Sequence, residues 1–174
     1  LVDDLELLET DFKEVIEIAK DSDSLYNRLK ETGRLDRKIA DDYGAVGVPV
    51  RALGKTMDAR ADFPYAAYEA VQFAVVTEEY GDVHARFLVR VKEVYQSFRI
   101  LNQVLALLPF ETSALQVALG SVPANRLAIG MVEGWRGDIV TFVATGVDGT
   151  LSRVKVRDPS FINWQVVPHA LLRD

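Results

Sequence analysis

The sequence predicts an α+β fold, a helical bundle with one long central helix and a small antiparallel β-meander near the C-terminal end. Over residues 81–108, apolar residues recur at alternating intervals of four and three, which is the spacing of one face of an α-helix. Between residues 129 and 157, short β-prone stretches are separated by turn residues, as in neighbouring antiparallel strands. With 174 residues, 49% hydrophobic and 26% charged, the chain can bury the core of a single domain.

The two ends of the chain suggest a piece of a longer protein. The sequence starts at Leu1 rather than at a methionine, and its last residues resemble an interrupted helix. We therefore expect residues 1–174 to be a single domain excised from a larger chain. Apolar surface exposed where the missing segments would pack should favour self-association.

The first 43 residues are predicted to be helical. Apolar residues between positions 5 and 19 follow a helical spacing, and the acidic residues among them are expected to be solvated charges that favour the helix dipole. Residues 21–24 break this helix, and Ser24 is the expected N-cap of a second short helix that ends at Gly33. A third short helix is predicted at residues 35–43.

Residues 44–80 are predicted to be an irregular loop that contains a short helix, because glycine and proline recur through them. A glycine-rich loop near an arginine can bind phosphate, but this one lacks the spacing and the Lys-Ser/Thr pair of a P-loop, so we expect no phosphate site. Asp58 and Arg60 are separated by one residue. We expect each of them to tie the loop to another element, such as the long helix, rather than to pair with the other.

The long helix is predicted at residues 81–108, with Asp82 as its N-cap and Pro109 as its stop. Its apolar seam consists of Phe87, Val91, Val94, Phe98, Leu101, Leu105 and Leu108. A second row at the same spacing is polar and consists of Asp82, Arg86, Arg90, Glu93 and Ser97. Arg90 and Glu93 are three residues apart, so we expect them to pair along the helix.

Two interpretations of this polar row remain open. It is a solvated face, or it is an interface or an internal polar seam. The second interpretation follows from apolar residues elsewhere on the helix, such as Leu88 and Ile100, which leave little surface for water. In an internal seam each arginine would need a partner.

Strands are predicted at residues 130–134, 138–144 and 151–157, with Asp148 and Gly149 in the turn between the last two. A short helix is predicted before them, at residues 113–119. In the last strand the basic residues alternate with Val154 and Val156, so we expect one solvated basic face and one buried valine face. The basic residues are Arg153, Lys155 and Arg157.

A terminal helix is predicted at residues 160–174. Ser160 is its expected N-cap, and Phe161, Trp164 and Val167 are its apolar residues. Pro168 is expected to kink this helix or to begin another.

Composition argues against several classes of function. The net charge is −6 and the arginines are spread among acids, which argues against nucleic acid as the main partner. The absence of cysteine removes disulfides, thiolate chemistry and iron–sulfur ligation from these residues. No apolar run is long enough to cross a bilayer. His84 and His169 lie far apart in the sequence and are expected to be structural or surface residues.

Four blocks of sequence carry a more specific signal. In chain order they are LYNRLKETGRLDRKIADDYGAVGVPVRALG, MDARADFPYAAY, GDVHARFLVRVKEVYQSFRI and VEGWRGDIVTFVATGVDGTLSRVKVRDPSFINWQ. Together they resemble the large subunit of membrane-bound nickel–iron hydrogenases of the formate-hydrogenlyase type. They are similar, more distantly, to the 49-kDa subunit of respiratory complex I, which is an NADH-quinone oxidoreductase, or NADH dehydrogenase.

The resemblance implies that a set of motif residues holds the scaffold around a redox active site without taking part in the bond-making. These residues are Arg51, Gly54, Asp58, Arg60, Tyr65, Asp82, Arg86, Arg90, Glu93, Gln96, Ser97, Glu133, Arg136, Gly137, Arg153 and Arg157. The chain departs from the family at Leu53, where a serine is usual, and at Gly134-Trp135, where Ala-Pro is usual. It also departs at Asp138, where a glutamate is usual, and at Asp158, where a second proline is common.

The resemblance also implies a role for the full-length protein in proton reduction, hydrogen oxidation or quinone-linked electron transfer. A nickel–iron centre would be held by two Cys-x-x-Cys motifs outside these residues, because soft thiolates suit such a metal. The fragment alone is therefore expected to be inactive, with no catalytic, metal-binding or cofactor-binding residue of its own.

Partners and location follow from the same resemblance. The expected partners are an iron–sulfur small subunit and other subunits of a membrane-associated complex, on the cytoplasmic side of the membrane. An alternative is a non-catalytic structural or assembly paralogue that has lost the metal site, suggested by the departures inside the motifs. A third hypothesis, an unrelated partner-binding helical domain, would be favoured by a structure without a sheet.

Overall fold

The computed structural model describes residues 1–108, 118 and 120–171. The described residues form an α+β fold, which confirms the predicted fold class. The helices are α1 (Val2–Lys20), α2 (Asp23–Leu29), α3 (Arg37–Asp42), α4 (Val48–Arg51), α5 (Ala59–Asp62), α6 (Val83–Leu107) and α7 (Ser160–Leu171), with a 3-10 turn at Tyr68–Ala70. The strands are β1 (Leu127–Gly134), β2 (Gly137–Thr145) and β3 (Leu151–Arg157). The presence of the sheet argues against the sheetless partner-binding domain.

The first two helices pack along α6. The rings of Phe12 on α1 and Tyr95 on α6 lie edge to face at 5.5 Å, and His84 packs on Tyr26 of α2 at 5.2 Å. The N-cap of α2 is Ser22, whose side chain accepts a hydrogen bond from the backbone N–H of Leu25 at 3.3 Å. The prediction of Ser24 as the cap was wrong, because the helix begins at residue 23 and Ser24 lies inside its first turn.

Helix α4 lies between two apolar clusters. One cluster joins α4 to α3 and α7 and consists of Leu35, Ala40, Ala45, Val50, Leu53 and Val166. The other lies where α4 crosses α6 and consists of Val48, Ala52, Ala85 and Val89. Small side chains in this second cluster allow the two helices to approach closely. The residue at the end of α4, Arg51, is also buried.

The long helix begins as predicted. The Asp82 side chain is its N-cap and accepts a hydrogen bond from the backbone N–H of Ala85 at 2.7 Å. The predicted apolar seam is buried only in part, because Val91 is 7% exposed while Leu101 and Leu108 are 43% and 54% exposed. The predicted stop at Pro109 and the predicted helix at residues 113–119, apart from residue 118, lie outside the described residues.

The three strands form an antiparallel sheet in the order β1-β2-β3. Gly134 pairs with Gly137, so residues 135 and 136 form the tight turn between β1 and β2. Val154 and Val156 are 51% and 52% exposed, and the prediction of a buried valine face was therefore wrong. The sheet meets the helices at its β1–β2 turn end, where Gly137 lies against the backbone of Val46. The valines farther along β3 are left without cover.

The terminal helix starts at Ser160, so the prediction of Ser160 as its N-cap was wrong. The carboxylate of Asp158 instead accepts the backbone N–H of Ser160 at 2.8 Å, and the turn is already formed before the helix begins. Pro168 lies inside α7 and does not begin another helix. No helix among residues 1–108 and 120–171 is long and apolar enough to cross a membrane.

Candidate functional site

Arg51 is the centre of a buried charge cluster, which we define as Arg51, Asp58, Arg60, Glu93 and Glu133. The residue is 1% exposed, so its charge is almost completely removed from solvent. Its Nε atom lies 2.7 Å from Oε1 of Glu93, and its Nη1 atom lies 2.9 Å from Oε1 of Glu133 and 3.7 Å from Oδ2 of Asp58. One guanidinium therefore ties α4 to α6, to β1 and to the start of α5.

The local sequence explains why α4 can reach this position. Gly47, at the N-terminal end of α4, has φ 71° and ψ −140°, a conformation that glycine adopts without strain. A Cβ atom on Gly47 would lie 2.5 Å from the Cα atom of Gly137 in the β1–β2 turn. Pro49 follows in the first turn of the helix, where its missing N–H costs nothing. The glycine thus allows α4 to lie directly against the sheet.

Asp58 and Arg60 form a bidentate pair, so the expectation that they would not pair was wrong. Nε and Nη2 of Arg60 donate to Oδ1 and Oδ2 of Asp58 at 2.9 and 2.6 Å. Asp58 is the N-cap of α5 with φ −154°, and its carboxylate also accepts the backbone N–H of Arg60 at 3.0 Å. The carboxylate is therefore turned back over the first turn of α5, where the Arg60 side chain can reach it.

The charges of this pair shift both pKa values. Burial alone would raise the pKa of Asp58, but the hydrogen bonds and charge of Arg60, with a contribution from Arg51, hold it below its ordinary value. Burial lowers the pKa of Arg60, but Asp58 outweighs that effect and raises it above its ordinary value. Both residues are therefore ionised at neutral pH.

Glu133 anchors the sheet to the loop that follows α4. Its Oε2 atom accepts the backbone N–H of Ala59 at 3.0 Å, while its Oε1 atom accepts from Arg51. Its own backbone N–H donates to the hydroxyl oxygen of Tyr65 at 3.0 Å. Burial raises the pKa of Tyr65. Its ring packs on Tyr68 with the ring centroids 4.9 Å apart.

Glu93 pairs with Arg51, and the predicted Arg90–Glu93 pair was wrong. The Arg90 guanidinium lies over the ring of Trp135, 4.0 Å from its centroid. The Glu93 Oε1 atom and the Arg51 Nε atom are both buried, but neither makes an aligned hydrogen bond. Burial raises the pKa of Glu93, while the charges of Arg51 and Arg60 oppose this shift.

Arg86, Arg90 and Arg136 line a neighbouring pocket of about 390 Å³ between α6 and α7, whose walls are otherwise mainly apolar. Arg86 donates to the carbonyl oxygens of Gly81 and Gly33 at 2.7 and 2.9 Å. Burial lowers the pKa of Arg90; Glu93 opposes this shift, and Arg51 and Arg136 add to it.

The polar row of α6 is therefore an internal seam along most of its length. Asp82 is buried, and Arg86, Arg90 and Glu93 are half-buried and engaged by other elements. Only Ser97, at the end of the row, is exposed; its hydroxyl donates to the carbonyl oxygen of Glu93 at 2.9 Å. Of the two interpretations of the row, the one with partnered arginines describes the structure.

The remaining predicted residues lie apart from the charge cluster. Gln96 is 8% exposed and accepts the backbone N–H of Ala74 at 3.1 Å. Gly54 has φ 80°, and the Glu79 carboxylate lies 2.6 Å from the position that a Cβ atom would occupy. Arg157 pairs with Asp138 on the neighbouring strand, and Arg153 is exposed on β3.

Asn163 on α7 is a connecting residue that no pattern in the sequence singled out. Its side-chain amide accepts the backbone N–H of Val46 at 3.1 Å and donates to the carbonyl oxygens of Val46 and Arg136 at 3.1 and 3.0 Å. It therefore joins α7 to the loop before α4 and to the β1–β2 turn. An asparagine early in a helix was the only signal in the sequence.

The chemistry open to the cluster is limited by how its oxygens are used. The carboxylate oxygens of Asp58 and Glu133 accept hydrogen bonds from guanidinium and backbone N–H groups, as expected for residues of a structural network. Within the described part of the chain, no three His, Asp or Glu side chains are grouped to hold a metal ion. The cluster can hold elements together and can bind a proton.

Residues 2–126 match the family described as the 49-kDa subunit of respiratory-chain NADH dehydrogenase. The chain is 33% identical over 162 residues to an NADH-quinone oxidoreductase subunit of Roseiflexus sp. (strain RS-1), covering 87% of this chain and 43% of that protein. It is 32% identical over 159 residues to formate hydrogenlyase subunit 5 of Escherichia coli (strain K12), covering 91% of this chain and 28% of that protein.

A solved structure is also similar. It is that of the membrane-bound sulfane sulfur reductase, an archaeal respiratory membrane complex. The matching chain has a TM-score of 0.84 and 27% identity, over 95% of this chain and 48% of that chain. The present chain thus spans less than half the length of these relatives.

Proposed function

Because this chain belongs to the family of the 49-kDa subunit of respiratory-chain NADH dehydrogenase, we propose that the full-length protein is the large subunit of an electron-transferring oxidoreductase complex. Its similarity to an NADH-quinone oxidoreductase subunit and to a formate hydrogenlyase subunit supports this class of reaction. Within that protein, the present residues form scaffold beside the redox centre.

The proposed scaffold role is supported mainly by the convergence of motif residues on Arg51. Its partners lie 42 and 82 positions away in the sequence, on α6 and β1, and a third stands at the start of α5. A buried ion network of this kind is costly to form, and it becomes strongly destabilising when one partner is removed. Its groups are engaged with one another, which suits residues that hold α4, α5, α6 and β1 together.

The redox group itself does not fit the residues present here. A nickel–iron centre requires soft thiolate ligands, and the chain contains no cysteine. A nickel–iron centre or a quinone substrate would therefore be bound by other parts of the full-length protein. We assign no chemical step to the side chains of this segment.

The proposed partners are an iron–sulfur small subunit, which would deliver or accept the electrons, and further subunits of a membrane-associated complex. The similarity to a chain of an archaeal respiratory membrane complex supports such an assembly. The proposed location is the cytoplasmic face of the membrane, with attachment through partner subunits.

Isolation of the full-length protein from its own cells, with an affinity tag, tests this proposal. Nickel and iron are measured by elemental mass spectrometry, and hydrogen uptake and quinone reduction are assayed on the same sample. We expect an iron–sulfur subunit to co-purify with one of the two activities. Nickel with hydrogen uptake identifies a hydrogenase, and iron without nickel but with quinone reduction identifies the complex I type. A protein isolated without iron, partner or activity would contradict the proposal.

The departures from the family pattern, which suggested the non-catalytic alternative, have structural explanations in the described residues. Leu53, in place of a serine, is 4% exposed and fills the core between α3, α4 and α7. Trp135 stacks against Arg90, and Asp158 accepts the first backbone N–H of α7. These three departures from the family pattern thus each have a packing or hydrogen-bonding role.

A further inference from the structure

The buried charge cluster contains more carboxylates than guanidinium groups. Asp58, Glu93 and Glu133 face Arg51 and Arg60, so full ionisation leaves one negative charge in excess. Side chains of all five residues are at most 15% exposed. An uncompensated charge is expensive in such surroundings, and a carboxylate there tends to take up a proton.

The hydrogen bonds distinguish Glu93 from the other two carboxylates. Asp58 accepts from the Arg60 side chain through both oxygens, and Glu133 accepts from Arg51 and from a backbone N–H. Glu93 has Arg51 Nε at 2.7 Å but no aligned hydrogen bond to it. Hydrogen bonds to the charged form stabilise a carboxylate, so Glu93 is the one that gains least from being ionised.

Charged groups from every neighbouring element face Glu93. Arg51 on α4 and Arg60 on α5 favour its ionised form, whereas Asp58 and Glu133 disfavour it. Arg90 lies one turn earlier on α6, and the charge of Glu93 favours its ionised form, but the Arg90 guanidinium lies over the ring of Trp135. Burial is the largest influence and raises the pKa of Glu93.

We propose that Glu93 is the proton-binding carboxyl group of the buried charge cluster. A proton from solvent forms an O–H bond at a Glu93 oxygen, and the two guanidinium groups are then balanced by Asp58 and Glu133. The Glu93 side chain is 15% exposed, which leaves a route for exchange with water. This property goes beyond the scaffold role and does not depend on which redox reaction the full-length protein performs.

Carbon NMR of the chain, labelled at the glutamate carboxyl carbons, tests the proposal by pH titration. We expect one resonance to titrate clearly above the ordinary glutamate value of about 4.3 and to be absent from Glu93→Gln. The matched control is Glu79→Gln, whose side chain is 73% exposed. This control should remove a different resonance and leave the high-titrating one unchanged. A Glu93 resonance that titrates at or below the ordinary value would overturn the proposal.

Stability measurements give a second readout that does not rely on spectral assignment. A folded-state pKa above the unfolded value means that the folded chain binds the proton more tightly, so stability is lost as pH rises through this window. The unfolding free energy of the wild type should therefore fall relative to that of Glu93→Gln as pH rises. A constant difference across the window would refute the proposal. Should Glu93→Gln not fold, direct assignment of Glu93 in the unsubstituted chain decides the question.

Discussion

Replacement of Arg51 by methionine removes the central cation of the charge cluster while keeping a side chain of similar length. The guanidinium is 1% exposed and lies within 2.9 Å of carboxylate oxygens of both Glu93 and Glu133. Removing one partner of a buried ion pair costs about 3–5 kcal/mol. The carbonyl oxygen of Met57 also loses a donor at 2.9 Å, which adds about 1 kcal/mol.

Arg51→Met is therefore expected to lose about 4–6 kcal/mol of unfolding free energy. A typical domain has only about 5–15 kcal/mol in total, so this variant should lose a large fraction of its stability. Urea unfolding followed by circular dichroism measures the difference. The control is Lys20→Met, which breaks an exposed ion pair to Glu17 on α1. It should unfold at the same urea concentration as the wild type. A loss below about 1 kcal/mol for Arg51→Met would refute the central role of this residue.

Three further substitutions probe other parts of the scaffold. Gly47→Ala places a Cβ against the backbone of the β1–β2 turn and should lower the unfolding free energy by more than about 2 kcal/mol. Gly44→Ala is the control, because Gly44 is also at positive φ but has open space around it, and it should lower the unfolding free energy by less. Equal decreases in melting temperature for the two variants would contradict the packing argument. Asp82→Ala removes the cap of α6 and should lower the unfolding free energy by about 1–2 kcal/mol. Asp82→Asn should recover part of that loss when both variants are compared by urea unfolding. The pKa of Asp58 is lowered in the folded state, so the stability that Asp58 contributes is present at neutral pH and is lost as pH falls through its folded pKa. Asp58→Asn should therefore reduce the loss of unfolding free energy at acidic pH. An unchanged dependence of the unfolding free energy on pH would exclude the Asp58–Arg60 pair.

The long helix and its start could be predicted because they depend on neighbouring residues. The spacing of four and three defines a helical face over residues 81–108, and Asp82 is the capping residue type just before it. The start of α2 was misplaced because Ser22 and Ser24 can both cap a helix, and only the backbone conformation decides between them. The valine face of β3 was misjudged because alternation predicts two faces but not what covers them.

The site residues could be selected from the sequence, but their partners could not. Arg90 and Glu93 have the spacing of a helical ion pair. In the folded chain, however, Arg90 lies over the ring of Trp135, 45 residues away, and Glu93 pairs with the buried guanidinium of Arg51. Asp58 and Arg60 pair because the capping geometry folds one side chain back over the next turn. Long-range contacts of this kind depend on how α4, α6 and β1 meet, which local spacing does not specify.

The most direct test of the scaffold role compares assembly with turnover in the full-length protein, purified in its complex from its own cells. Asp58→Asn and Glu133→Gln each weaken the network around Arg51 without changing side-chain size. The amount of assembled complex is measured by quantitative mass spectrometry of its subunits, and electron-transfer activity is measured per assembled complex. A scaffold role predicts fewer complexes that each turn over at the wild-type rate. Normal assembly with turnover lost would contradict it and would place these carboxylates in the reaction itself.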